Sequence, residues 1–341
     1  MTRIALLAIG VSAVALPALA EGKLNLYNWG DYTSPDLIKK FEDQTGIDVT
    51  ITDYDSNDTA LAKVSAGGHG FDLVVPSANY VPIFVQKGLL AELDHERLKN
   101  FGNIDAKWMD VPWDKGRVYS IPWLWGTVGM GVNTETYDGD PNTSAIFLDP
   151  PKELVGKVNV APEMSDIIHL TTMYLGGEPC TEDKEMLKKV RDKLVEAKPK
   201  WMSMDYGMSD KMGSGDVKAS EYWSGAIMRA RMQNPAVVYG YPKEGYPLFM
   251  DSIALLADAQ NVDEAYQFLD FIMDPENAAM NSEYAKYPNG IAGSEEFFSD
   301  EMKNAPEMVV PEEHLANGRW MPLCSPTARD YMTAIWTELQ K

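Results

Sequence analysis

An α/β architecture in two domains is what this sequence predicts, and three observations carry it. Short apolar runs alternate with helical patterns in strand-then-helix order through the first hundred residues, the signature of βαβ units and a parallel sheet with right-handed crossovers. About 320 residues remain once the first twenty are set aside, more than one ordinary core accommodates and right for two domains. The segments that read as strands end repeatedly in aromatic and small polar residues, the place where open α/β sheets bind ligands.

The first twenty residues have the pattern of an export signal: Arg3, then the apolar run Ile4 to Ala20 ending Ala18-Leu19-Ala20. Cleavage after Ala20 is expected. No Cys follows that point, which argues against a lipid anchor, and no later run is long and apolar enough to span a bilayer. The mature protein is therefore expected in a bacterial periplasm. Losing Arg3 moves the formal charge from −21 to −22. So acidic a surface argues against nucleic acid and anionic membranes and attracts cationic solutes, although it also serves solubility alone.

Leu24 to Phe41, reading LNLYNWGDYTSPDLIKKF, organises the rest. Leu24 and Leu26 alternate with Asn25 and Tyr27 as in a buried strand, which breaks into Trp29-Gly30-Asp31-Tyr32. A helix follows. Ser34 is a good N-cap, Pro35 suits the first helical position, Asp36 favours the positive end of the dipole, and Leu37, Ile38 and Phe41 form the apolar face ahead of Gly46. Ile47 to Thr52 reads as a second strand and Asp58 to Ala66 as a short helix closed by Gly67-Gly68. Phe71 to Val75 is a third strand, running into Pro76-Ser77-Ala78-Asn79-Tyr80, and Pro82 to Lys87 a helix. After an irregular zone carrying Trp108 and Trp113 comes a strand pair, Val118 to Pro122 and Val128 to Asn133, joined by Trp123-Leu124-Trp125-Gly126. A domain boundary is placed near Asn133.

Beyond it, the strand Lys157 to Val160 enters Ala161-Pro162-Glu163, and a helix carries Ile167, Ile168, Thr171, Met173 and Tyr174. Glu182 to Glu196 repeats Met186, Leu187, Val190 and Leu194 at helical spacing. Lys218 to Trp223 is a strand ending Trp223-Ser224-Gly225, and Tyr241 to Gly245 is a second crossing between domains. Phe249 to Leu256 is a strand carrying Asp251, Asp263 to Met273 an amphipathic helix, and Tyr284 to Gly290 a segment containing Tyr287. An oxidising compartment permits a Cys180–Cys324 disulfide, and the spacing leaves open whether the two meet.

The catalytic inventory is thin. His69, His95, His169 and His314 stand singly without metal-ligand spacing, and neither a nucleophile elbow nor a phosphate-binding glycine loop occurs. Neither an enzyme, a metal nor a cofactor is expected. What remains is a set of rings and carboxylates at strand ends in both halves. A cleft lined by Trp29, Tyr32, Trp223, Phe249 and Tyr287, with Asp251 among them, suits an organic cation. Each ring face attracts an ammonium by roughly 0.5 to 2 kcal/mol when water is excluded, and a carboxylate supplies the charge-assisted hydrogen bond that a buried ammonium needs. The bland alternative for each ring is core packing, and for Trp108, Trp113, Trp123 and Trp125 packing is the better reading.

Five segments carry a likeness: Leu26-Tyr27-Asn28-Trp29-Gly30-Asp31-Tyr32, Gly70-Phe71-Asp72-Leu73-Val74-Val75-Pro76-Ser77, Ile121-Pro122-Trp123-Leu124-Trp125-Gly126, Pro242-Lys243-Glu244-Gly245, and Asp263-Glu264-Ala265-Tyr266-Gln267-Phe268-Leu269. Taken in order, the chain resembles over its mature length the periplasmic polyamine-binding proteins that feed putrescine or spermidine to ABC importers. The resemblance implies a type II periplasmic-binding-protein fold, two α/β lobes joined by crossing strands with a ligand cleft between them. Residues 21–133 with about 246–290 would form lobe 1, and 134–245 with about 291–341 lobe 2. It implies Trp29 and Trp223 as aromatic walls, Phe249 as a third, Tyr32 and Tyr287 as ring or hydroxyl contacts, Ser77 as a polar contact, and Asp251 as the carboxylate, with Asp31 and Asn79 beside them. The implied partners of a monomeric protein are a small cationic amine and an inner-membrane ABC permease, with no nucleic acid.

Two departures stand out. Met164 occupies the position after Pro162-Glu163 where an acid is expected, and Ala226 the position three after Trp223 where an Asp is expected. Glu221, on the same strand face as Trp223, is the first candidate to compensate, with Glu163 and Asp166 behind it. The ligand is then either a polyamine held by a rearranged acid or a compound with one cationic end, such as an amino acid-like amine. A periplasmic carbohydrate-active hydrolase would need a catalytic carboxylate pair. A ferric-ion binder would need a tyrosine cluster that is not evident.

Overall fold

The computed structural model describes residues 22–341, so the export signal assigned to residues 1–20 lies outside the described residues. Local chemistry explains the first units. The Ser34 side chain accepts from the Leu37 amide and caps the helix Pro35–Thr45, which Gly46 ends in the left-handed conformation at φ 73°. Ser56 caps Asn57–Ser65 in the same way, accepting from Thr59. These helices return the chain so that Gly22–Trp29 pairs in parallel with Ile47–Tyr54 on one side and Leu73–Val74 on the other.

The sheet continues past Leu73–Val74 through Tyr246–Leu255, Ser120–Asn133, Ala219–Trp223, Val158–Val160 and Ser203–Met204. Two hydrophobic cores flank it. The first gathers Leu24, Phe41, Phe84, Ile121, Ile253 and Phe268, the second Val128, Phe147, Leu170, Val190, Ile227 and Trp336. One strand of fourteen residues, Ser120–Asn133, runs from the first core into the second. The expected strand pair is thus a single strand, and the tetrapeptide Trp123-Leu124-Trp125-Gly126 is no turn. Trp125 and Gly126 pair with Met250 and Phe249 of the antiparallel strand Tyr246–Leu255. Gly126 is small because a Cβ there would lie 2.9 Å from the Phe249 ring and from Ser224 Oγ. Tyr246–Leu255 makes the return crossing, its first residue in the second core and its later ones in the first.

The helix Pro326–Leu339 lays Met332, Ile335 and Trp336 on the second core. Ahead of it, Cys324 is joined by a disulfide to Cys180, 144 residues earlier. The pairing was not legible because the packing of that core, and not the spacing, brings the two loops together. Among the described residues no helix is long and apolar enough to cross a membrane.

Candidate functional site

Trp29 is the last residue of its strand, and its indole Nε1 donates to the Val75 carbonyl at 3.0 Å, which fixes the ring across the strand ends. Asp251 lies where the register between Tyr246–Leu255 and Ser120–Asn133 slips between Met250 and Ser252, an irregularity that re-aims a side chain. Its carboxylate is 4% exposed and accepts from the Tyr32 hydroxyl at 2.8 Å and the Ser77 hydroxyl at 2.6 Å. Tyr287 stands edge-on to Tyr32 and Phe249, with centroids 5.4 and 5.8 Å apart.

The second core supplies the opposite wall. Trp223 ends the strand Ala219–Trp223, and its ring centroid is 6.0 Å from that of Trp29. Its Nε1 donates to Asp166 at 3.0 Å. Glu163 is the N-cap of the helix Met164–Tyr174 and accepts from the Ser165 hydroxyl at 3.0 Å. The same carboxylate reaches across the gap to accept from the backbone amide of Asn57 at 3.1 Å. Tyr206 makes a second bridge, packing on Trp223 and donating to the Gly30 carbonyl at 2.9 Å. The two walls are therefore drawn together around one cleft.

Trp29, Tyr32, Ser77, Trp223, Phe249, Asp251 and Tyr287 all line this cavity, as do Asp31, Asn79 and Ala226. Met164 and Glu221 do not. Met164 lies one position beyond Glu163 on the helix, about 100° round it, and faces a separate cavity with Trp336 and Gln340. Glu221 has the expected alternation but the wrong depth. It sits about 7 Å further down its strand than Trp223, is 0% exposed, and accepts from the Ala161 amide at 2.9 Å. Glu163 and Asp166, ranked behind it from sequence, are the acids that reach the cleft, three residues apart on one helical face. The shortage of acids implied by Met164 and Ala226 is thus absent. Sequence reasoning missed Asn57, Tyr206 and Arg229, the one basic side chain among the lining residues.

Burial dominates the electrostatics. It pushes the Asp251 carboxyl up to about 7, against the pull of the Ser77 and Tyr32 hydrogen bonds. It likewise raises Glu163, with Asp58 adding to the effect, and Asp166, with Glu163 and then Glu221 adding. Three desolvated carboxyls facing one aromatic cavity are costly when ionised and empty, and a cation reverses the sign of that cost.

Closure also constrains Gly225, near the start of the helix Ser224–Gln233. A Cβ there would fall against the Lys286 carbonyl oxygen and within 2.7 Å of the Tyr287 ring on the opposite wall. Gly225→Ala is expected to leave thermal stability unchanged or slightly raised, since alanine favours helix. It should weaken ligand binding about five- to a hundredfold by obstructing closure, the equivalent of about 1 to 3 kcal/mol of overpacking. Calorimetric titration beside a thermal melt separates the two effects, and equal binding by both proteins would show that the walls do not need this contact.

Comparison with known proteins identifies the family and the fold. Residues 36–310 match the model of the family described as bacterial extracellular solute-binding protein. The chain is 30% identical to the spermidine/putrescine-binding periplasmic protein of Escherichia coli over 92% of its own length and 90% of that protein's. It is 29% identical to the putrescine-binding periplasmic protein SpuD of Pseudomonas aeruginosa, over 98% and 96%. The solved structure of the spermidine/putrescine ABC transporter substrate-binding protein PotD from Streptococcus pneumoniae superposes with a TM-score of 0.75 at 25% identity, covering 94% of this chain and 98% of that one. Its two α/β lobes with a cleft between them have the type II periplasmic-binding-protein fold, and the chain belongs to the bacterial extracellular solute-binding proteins.

Proposed function

We propose that this protein captures a polyamine in the periplasm and delivers it to an inner-membrane ABC permease, performing no chemistry on it. The observation that carries this reading is the charge arrangement of the cleft: Asp251 on one wall and Glu163 with Asp166 on the other, all buried, around the rings of Trp29 and Trp223, which meet edge-on. One ammonium would donate to Asp251 where Tyr32 and Ser77 already converge, another to Glu163 and Asp166. The indoles would flank the methylene chain and its charges. The two relatives reported above are named as spermidine/putrescine- and putrescine-binding, which supports the same ligand class. A ligand with one cationic end would leave a buried carboxylate unpaired, at a cost of several kcal/mol, so the polyamine reading is preferred to the single-amine one.

Isothermal titration tests this with spermidine, putrescine and an amino acid-like monoamine. Spermidine is expected to bind with a Kd of about 1 μM or tighter, worth about −8 kcal/mol, and the monoamine far more weakly. Tighter binding of the monoamine, or no heat with either polyamine, would overturn the proposal.

A further inference from the structure

Away from the cleft, one buried cluster of soft ligand atoms plays no part in ligand capture. His169 is 1% exposed, its Nδ1 has no hydrogen-bond partner among the described residues, and its Nε2 lies 4.0 Å from the sulfur of Cys324. The thioether sulfur of Met332 is 3.8 Å from the same sulfur. The imidazole nitrogen and both cysteine sulfurs lie within 4.8 Å of one another. A buried imidazole whose Nδ1 has no partner and whose Nε2 faces a sulfur is unusual.

The spacing suits a metal. Tetrahedral sites hold sulfur at about 2.3 Å and nitrogen at about 2.0 Å, which sets neighbouring ligand atoms about 3.5 to 3.8 Å apart. The sulfur–sulfur and sulfur–nitrogen distances around Cys324 are already near that. The two cysteine sulfurs must part, and both residues lie on loops, Cys180 between the helices Met164–Tyr174 and Lys184–Ala197 and Cys324 just ahead of Pro326–Leu339.

We propose that reduction of the Cys180–Cys324 bond opens a site in which Cys180, Cys324, His169 and Met332 hold one Cu(I) ion. Three sulfurs and one imidazole form a soft donor set of the kind that takes Cu(I) or Zn²⁺, and the neutral thioether of Met332 tips it towards the softer Cu(I). The reaction balances. A dithiol reductant passes two electrons and two protons to the disulfide, leaving two cysteine thiols and its own disulfide, and Cu(I) then displaces both thiol protons to solvent. The oxidised chain has no thiolate to offer, so the disulfide acts as the gate of the site.

The test uses the mature chain, reduced anaerobically with dithiothreitol, desalted, and titrated with Cu(I) against a chromogenic chelator. About one Cu(I) per reduced chain and none per oxidised chain is expected. Met332→Leu, which keeps the volume of the side chain, and His169→Leu are each expected to weaken retention about tenfold or more. Far-UV circular dichroism reports that each protein remains folded. Equal uptake by the oxidised and reduced chains, unchanged affinity in both variants, or preference for Zn²⁺ overturns the proposal. So does a reduced chain that loses its circular dichroism before it takes up metal.

Discussion

Asp251→Asn is expected to weaken spermidine binding about a hundredfold or more while leaving the protein folded. Removing one member of a buried, hydrogen-bonded charge pair costs about 2 to 5 kcal/mol, with each 1.4 kcal/mol worth a factor of ten in affinity. Asparagine has nearly the same shape, so the loss is one of charge and hydrogen-bond direction. Tyr32 and Ser77 both donate to the carboxylate, and an amide turns its NH₂ group towards one of those donors. The effect on the empty protein runs the other way, because a neutral amide is spared the desolvation that raises the Asp251 carboxyl to about 7. The variant should therefore melt no lower than the parent at neutral pH and gain little from added spermidine. Binding within about threefold of the parent would mean that Asp251 does not answer the ligand's charge.

What the sequence disclosed depended on whether a residue's role follows from its immediate neighbours. Trp29 and Trp223 were legible because each stands between a strand and a helix start, and Asp251 because it is an acid inside an apolar strand. Glu163 and Asp166 were ranked too low because the choice among 163, 164 and 166 turns on the exact helix start, which a sequence locates only to within a residue or two. Tyr206 lies among Met202, Met204 and Met208 in a stretch with no period, so nothing local marks it. Asn57 functions through a contact 106 residues distant. The crossing strand Ser120–Asn133 was split in two because it is buried on both faces, which removes the alternation that would have revealed its length.

Acidification is expected to close the ligand-free protein, and ligand to close it at neutral pH. Bridges such as Glu163 to Asn57 and Tyr206 to Gly30 span the cleft only when the walls meet. In that geometry Asp251, Glu163 and Asp166 are held above the ordinary carboxyl range by burial, whereas open walls return them to water. A carboxyl raised in one state favours that state at low pH, and the preference disappears as pH rises through the raised value. For Asp251, a full return from about 7 to 3.8 on opening is worth about 4 kcal/mol at 1.36 kcal/mol per pH unit, an upper bound because Tyr32 and Ser77 cover it from its own wall. That is about a thousandfold in the closing equilibrium, gained between pH 7 and pH 4. Small-angle scattering should therefore give a larger radius of gyration for the empty protein at pH 8 than at pH 5, and spermidine should abolish the difference. Asp251→Asn supplies the decisive comparison. With one ionisable group fewer, it should be more closed than the parent at pH 8 without ligand and show a shallower pH dependence, although it binds spermidine far less well. A parent whose dimensions ignore pH, or a variant that is more open, would mean that these carboxyls do not oppose closure of the empty cleft.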